Sequence, residues 1–396
     1  MKGPTPRRLQ EYARERLGLD SYLDAPGDGR QLPRIPAPCL LWALLILKIL
    51  RIASLYGTEM LVRHARVSLG VVTEFSDDAL AYFLERLSPH RTRQALFGLL
   101  RRAKRNKVFE EVVRIGLALD GTGAGRTVRE ACTLCHPYRN TQGEVIGHGH
   151  HLVMASIVGA GIVLPCDIEP IAPGESELGA ASRLLPRLVQ GLGRRFADYV
   201  VLDSLYGGAP FVMLVQRQGL DMIVELKGNM PDLLENARTR FKGQPPGDSF
   251  PHRGEQVELW DADDVEASET LPWDSVRVLH YRRTRRDGNV IEGYCYTTFS
   301  QRTVGSRGLF RMRSSRWEIE NQGFNDAKNR YGLEHIPHHE PNSILLHTLL
   351  TCLALCIERL YRLRHLRRGS HAPPSAVQLC RLFWLALTPD AYHDSS

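Results

Sequence analysis

The chain is 396 residues long, more than one ordinary hydrophobic core holds, so about two to three structural units are expected. Its 43% hydrophobic and 24% charged residues are globular proportions and exclude wholesale disorder. The net charge of +7 is unevenly placed: residues 1–110 hold 19 Lys and Arg against 11 Asp and Glu, and the rest is nearly balanced at 32 against 33. A basic N-terminal part favours a polyanionic partner, although a solvated surface explains the same excess equally well. Only seven of the 51 basic residues are Lys; Arg offers phosphate planar two-pronged contacts that Lys cannot.

The first 28 residues mix acids and bases, unlike a secretory signal. Pro33, Pro36 and Pro38 then punctuate the entry to a helix expected over Leu40–Leu55. The apolar stretch Cys39–Tyr56 is interrupted by Lys48 and Arg51, too soon for a bilayer span, and reads as a buried helix. Ser76 is placed to cap a second helix running through Leu80, Phe83 and Leu84. After Ser88-Pro89 a third helix is expected, with Leu96, Leu99 and Leu100 on one face. Arg91, Arg93, Arg101, Arg102, Lys104, Arg105 and Lys107 are left to meet solvent or phosphate.

From about Glu111 the period changes. Strand-like runs occur at Ile115–Leu119, Leu152–Val158, Ile162–Ile168, Tyr199–Leu202 and Met222–Leu226, with helical stretches at Leu178–Leu192 and Ala209–Gln218. That order predicts a mixed α/β sheet. Residues 228–306 contain a Gly-Pro patch and short β-type runs at Gln256–Trp260, Val276–Tyr281 and Gly293–Phe299, and read as a β-rich insertion. Helical character returns at Arg313–Arg330 and Ser343–Leu366. The tail from Gly369 is polar until Leu379–Leu387. The expected division is therefore 1–110 helical and DNA-binding, 111–227 first part of the core, 228–306 insertion, 307–368 C-terminal core helices, and 369–396 tail. Eight irregularly spaced cysteines are no disulfide scaffold, so a reducing cytoplasm is the expected compartment, with no membrane role.

Three acids stand out within this layout. Asp120 ends the run Ile-Gly-Leu-Ala-Leu-Asp and precedes Gly121-Thr122-Gly123; Asp203 ends Tyr-Val-Val-Leu-Asp; Glu320 lies in the helical string Arg316-Trp317-Glu318-Ile319-Glu320-Asn321. Two strand-end aspartates and a helical glutamate can jointly hold two Mg²⁺ (or Mn²⁺). Two such ions about 3.5–4 Å apart clamp the attacking and leaving oxygens of a phosphodiester. At about 100° per residue, Arg316, Glu320 and Lys328 share one side of a regular helix and Glu318 faces away.

Acid-bearing strands, a β-rich insertion and a glutamate-bearing helix, in this order, resemble the RNase H-like core of DDE transposases. The closer resemblance is to the insertion-sequence-four family of bacterial transposases, over roughly residues 75–366. Its first motif is matched by Asp120-Gly121-Thr122 and its second by Val201-Leu202-Asp203 with Tyr206-Gly207. Its third motif spaces Tyr, Arg, Glu and Lys. Here Arg316 and Glu320 keep their gap, Arg313 stands where Tyr is expected, and seven residues instead of six separate Glu320 from Lys328.

The resemblance implies a cut-and-paste transposase with Asp120, Asp203 and Glu320 as metal-binding catalytic acids, and Arg316 and Lys328 as phosphate contacts. It also implies DNA partners (terminal inverted repeats and target), a homodimer on DNA, and a bacterial cytoplasm near the nucleoid. An RNase H-fold nuclease without strand transfer, or a non-catalytic DNA-binding relic, are the alternatives. Arg359, Arg362, Arg364, Arg367 and Arg368 are further candidates for DNA contact.

Other patterns are weaker. Cys132-Thr133-Leu134-Cys135-His136 matches a haem-attachment string without the secretion it requires. Cys132 and Cys135 with His148, His150 or His151 have the makings of a zinc site. The twelve-residue gap from Cys135 to His148 suits a finger, but the His spacing is short. Incidental residues on a hairpin, with zinc dispensable, are the expectation. Gly121-Thr122-Gly123-Ala124-Gly125 faintly matches a dinucleotide loop. His335, His338 and His339 read as loop residues, Cys352 and Cys356 as core.

Overall fold

The computed structural model describes residues 3–367 and 372–387. Six helices come first: α1 Pro6–Glu15, α2 Asp20–Asp24, α3 Ala37–Ile49, α4 Leu55–Leu69, α5 Asp77–Arg86 and α6 Pro89–Arg105. Ser76 and Ser88 accept hydrogen bonds from the amides of Ala79 and Arg91 and so open α5 and α6. α3 is shorter than expected. Arg51 takes a left-handed φ of 61°, its amide bonds to Lys48 O, and the Ile52 amide reaches back to Leu47 O. That is a Schellman ending, here without its usual glycine.

Next come β1 Gly116–Thr127, β2 His136–Arg139, β3 Val145–Val158, β4 Leu164–Ile171, α7 Glu177–Leu192, β5 Tyr199–Leu202, α8 Ala209–Arg217 and β6 Asp221–Leu226. α9 Pro231–Phe241, β7 Asp248–His252, β8 Glu255–Glu266, β9 Ser275–Thr284 and β10 Val290–Thr297 follow. The chain closes with α10 Ser306–Ser314, α11 Asn325–Tyr331, α12 Pro341–Leu360 and α13 Ala376–Leu387. The expected α/β class with a mixed sheet behind an all-helical N-terminal region is what the structure has.

One ten-stranded sheet runs β2-β3-β1-β5-β6-β10-β9-β8-β7, with β4 also pairing to β3. β1, β5 and β6 are parallel to one another, whereas β3 and β10 run antiparallel to their neighbours. The strands between 228 and 306 therefore extend the core sheet through the β10–β6 pairing. They follow a helix, α9, that the Gly-Pro patch after it had masked.

α12 packs between this sheet and the N-terminal helices, touching β4, α3, α5 and α6. Every residue from 346 to 360 is buried, as befits a helix apolar all round. By length and composition it would also cross a membrane, but its most apolar window is 94% buried inside the fold. Lys48, the one charge on buried α3, meets His347 of α12 at 2.7 Å. Burial drives both groups well below their usual pKa. Cys352 and Cys356 are core residues, as expected.

Candidate active site

Parallel pairing of β1 and β5 matches Ala118 to Val201, so Asp120 and Asp203 lie two residues further along on neighbouring strands. β1 does not stop at Asp120. It continues to Thr127 against β3, with Asp120 opposite Met154. Gly121–Gly125 is therefore strand, and the dinucleotide-loop reading falls because Gly121 and Gly123 are paired with β3 and Gly125 sits at a bulge in the same ladder. Asp203 follows β5 and opens a single 3₁₀ turn, Ser204–Tyr206, by accepting the Ser204 amide.

Glu320 is carried differently from expectation. The stretch 313–330 is not one regular helix. α10 ends at Ser314, Ser315 turns its hydroxyl onto Met312 O, and Ile319–Phe324 winds as a π-helix before α11. Gly323 lies buried there, where a β-carbon would come within 3.6 Å of Ser156 on β3. A π-turn takes up one residue more than an α-turn. It absorbs the seventh spacer between Glu320 and Lys328, and brings Lys328 to within about 20° of Glu320's side instead of about 80°.

Arg316 joins the acids. Its Nη1 is 2.8 Å from Glu320 Oε1 and 3.5 Å from Asp120 Oδ2, and its side chain is only 5% exposed. Lys227, just beyond β6, donates to Asp203 Oδ1 at 3.1 Å. Burial, with the nearby carboxylates of Glu320 and Glu177, pushes Asp120 up to about 6 despite Arg316. Burial also works to raise Asp203, but Lys227 and the Ser204 amide outweigh it and hold that carboxyl below its usual range. Lys328 lies at the rim, its Nζ 3.6 Å from Glu334.

The position where the family motif has Tyr carries buried Arg313. It pairs with Glu225 and meets the hydroxyl of Tyr281 from β9. Glu318, expected to face away, accepts the Gly159 amide at 2.8 Å and so ties this segment to the turn after β3.

Two neighbours, Glu177 and Lys227, escaped the sequence reading. Glu177, the first residue of α7, accepts the Tyr206 hydroxyl at 2.6 Å. It approaches β1 so closely that a β-carbon on Gly121 would be 2.1 Å from its Oε2. Burial and these acids raise the Tyr206 phenol far above its ordinary pKa. Lys227 had a signal, since it follows the third parallel strand, and strand C-termini are where α/β sites collect. Glu177 had none beyond a capped helix start.

The carboxylates suit divalent cations. Asp120, Asp203 and Glu320, with Glu177 close by, are met by one guanidinium and one ammonium, so negative charge there is under-compensated by count. Among the described residues the three acids do not converge within 4.8 Å, whereas Cys132, Cys135 and His150 do.

Several basic residues expected to face DNA are used internally. Arg359 is buried and binds Val163 O, Gln322 O and Asp326. Arg93 binds Asp167 and Ile168 O, and Lys104 binds the carbonyls of Arg195 and Phe196. Arg362 pairs with Glu358. Arg368 lies outside the described residues, as does much of the tail.

Residues 175–357 match the family described as the transposase DDE domain. The match includes Asp203 and Glu320 and begins after Asp120. No curated protein matches the sequence. Seven solved chains match, among them the piggyBac transposase of a cryo-EM synaptic complex with hairpin DNA. That likeness has 11% identity and a TM-score of 0.46, over 97% of this chain and 80% of that one.

Proposed function

We propose that this chain, a DNA-cleaving and strand-transferring enzyme by its transposase DDE domain, performs cut-and-paste transposition of the insertion-sequence-four type. In this reading Asp120, Asp203 and Glu320 are the metal ligands. The observation that carries it is their gathering, from β1, the end of β5 and the π-helix, around cationic groups that leave them under-compensated by count. A set wider than one coordination shell suits ligands divided between two ions about 3.5–4 Å apart.

Two Mg²⁺ (or Mn²⁺) held there would activate water, and later the freed 3′-hydroxyl, for in-line attack and stabilise the leaving oxygen. Asp120, raised by burial and by the neighbouring Glu320 and Glu177 carboxylates, would have to give up its proton to serve as a ligand. Arg316, which bridges Asp120 and Glu320 here, would turn to a phosphate oxygen if those carboxylates held ions, and Lys328 would meet the next phosphate from the rim. Lys227, Arg238, Arg316 and exposed Trp317 line a cavity of 510 Å³ beside the acids. Cations interleaved with an aromatic face suit a strand end. No protein nucleophile takes part.

Residues 1–110 would grip the transposon ends, residues 111–227 and 307–368 supply the catalytic core, and two copies pair two ends. The test uses the full-length protein, labelled end DNA and Mg²⁺, with Asp120→Ala, Asp203→Ala and Glu320→Ala scored for cleavage, joined product and DNA binding. Each should lose cleavage and joining by on the order of 10³-fold or more while keeping binding, and combinations should not add. Activity in any of the three removes that residue from the triad. Cleavage by the wild type without joined product makes the protein a nuclease instead.

A further inference from the structure

A second cluster lies further along β1, apart from the acids. The loop from Val128 to Cys135 connects β1 to β2 and folds back so that both its cysteines face His150 on β3. Cys132 Sγ and Cys135 Sγ are 3.8 Å apart, and His150 Nε2 is 3.2 Å from the first and 3.6 Å from the second. For Zn–S bonds of about 2.3 Å and Zn–N bonds of about 2.0–2.1 Å at tetrahedral angles, those edges should be about 3.8 Å and about 3.6 Å. Two edges agree, and the third is shorter by an amount a rotamer adjustment removes. Among the described residues no other three His, Cys, Asp or Glu side chains bring ligand atoms within 4.8 Å of one another.

The fourth position has a candidate just outside that 4.8 Å set, whose ring has to turn toward the cysteines to ligate. The His339 ring lies 5.7 Å from that of His150, centroid to centroid. Its Nδ1 is buried without a hydrogen-bond partner. His339 belongs to the loop between α11 and α12. That loop presses on β1 at Gly125, whose left-handed φ of 64° leaves room for Ile336 where a β-carbon would be 2.7 Å from it.

We propose that Cys132, Cys135, His150 and His339 form a structural Zn²⁺ site that pins the β1–β2 loop to β3 and to the loop following the Glu320-bearing segment. Binding releases the two thiol protons, and two thiolates with two neutral imidazoles leave the site uncharged. Four protein ligands close the coordination shell, so the ion offers no open position for chemistry. The sequence spacing points to Cys132 and Cys135 with one of three histidines and to a dispensable zinc; strand pairing, Ala124 against His150, picks out His150, and only tertiary packing brings in His339.

The test measures metal content of full-length protein purified without chelator, then repeats it after cobalt exchange. About one zinc per chain is expected, and the cobalt form should show thiolate charge-transfer and tetrahedral d–d bands. Cys132→Ser with Cys135→Ser should lose the zinc and the charge-transfer band, and His339→Ala should release zinc to a chelator faster. Cys380→Ser, on α13, should change neither reading. Wild-type protein that carries no zinc and gives no thiolate–cobalt band overturns the site, whether or not the double variant folds. Stoichiometric zinc retained by the double variant, or a Cys132–Cys135 disulfide in place of the metal, overturns it equally. Wild-type release kinetics in His339→Ala overturn the fourth ligand.

Discussion

Asp120, half-buried, and Asp167, fully buried, lie on strands of one sheet and have opposite electrostatic surroundings. Asp167, on β4, is fully buried. It accepts from Arg93 at 2.9 Å, Arg187 at 2.7 Å and the Ile168 amide at 2.8 Å. Asp120 has its own Gly121 amide at 3.0 Å and a single guanidinium at 3.5 Å shared with Glu320. The first carboxylate is saturated by two arginines from α6 and α7, and so fastens those helices to the sheet. The second is crowded by other acids and under-supplied with cations. A buried charge whose partners are complete is part of the structure, whereas one whose partners are incomplete is positioned for something that arrives later.

The sharpest way to break this comparison is to neutralise each aspartate in turn. Asp120→Asn should lower cleavage by on the order of 10³-fold or more without lowering the melting temperature. Asp167→Asn should leave two half-buried guanidiniums with Glu169 as their remaining carboxylate and cost about 1–3 kcal/mol of stability, with cleavage by the folded fraction retained. Calorimetry beside a cleavage assay reads both. If Asp120→Asn melts early at full activity, or Asp167→Asn is stable but inactive, the two roles have been exchanged.

A pH scan extends the contrast to the far half of the sheet. His280, on β9, is stacked between Trp260 at 4.5 Å and Tyr294 at 4.3 Å, and neither ring nitrogen has a hydrogen-bond partner. Burial lowers its pKa to about 4, with Arg282 acting the same way and Glu292 against them. The unfolded chain takes up this proton below about pH 6.5 and the folded chain only near 4. This group therefore costs stability progressively as pH falls through that window, by about 3 kcal/mol in all. Denaturation of His280→Phe should show the wild type losing ground to the variant from about pH 6.5 down to about 4, and not above. A constant difference across the range would mean the imidazole titrates normally.

Glu318 sharpens the site side. Expected to face away from Glu320, it holds the Gly159 amide. Glu318→Ala should cost about 1–3 kcal/mol, and Glu318→Gln, which keeps an acceptor, much less. Both should cleave DNA when folded. Loss of cleavage in a folded Glu318→Gln protein would give this carboxylate a place in the chemistry.

What the sequence made legible was local. Ser76 caps as expected, a helix opens after Ser88-Pro89, β5 spans the expected Tyr199–Leu202, and the runs ending at Asp120 and Asp203 are neighbouring parallel strands. What it hid depended on distant partners. Gly121–Gly125 looks like a loop until β3 pairs with it, and the break at Ser315 and the π-turn at Gly323 interrupt a pattern that is helical throughout. Arg359 looks like a surface cation, yet its partners Val163 and Asp326 come from other elements. Cys132 and Cys135 were legible as a candidate metal pair, but which of His148, His150 and His151 meets them is settled only by strand register, which selects His150.

The same distinction between completed and incomplete partners applies to the basic helix α6, where the expected effects are smallest. Arg93 and Lys104 are occupied: one with Asp167, the other with the carbonyls of Arg195 and Phe196, both at 2.7 Å. Arg101, Arg105 and Lys107 are exposed towards the end of the helix. If residues 1–110 contact DNA, these three are cations placed to displace counterions. Each lost phosphate contact should flatten the slope of log affinity against log salt by about 0.9. Arg101→Ala with Arg105→Ala and Lys107→Ala should thus reduce the slope by about 2–3 with little change in melting temperature. Lys104→Ala should do the reverse, loosening the packing of α6 on the turn before β5 and leaving the slope unchanged. Equal slopes for the triple variant and the wild type would remove this end of α6 from the DNA interface and return its charge to the solvated surface.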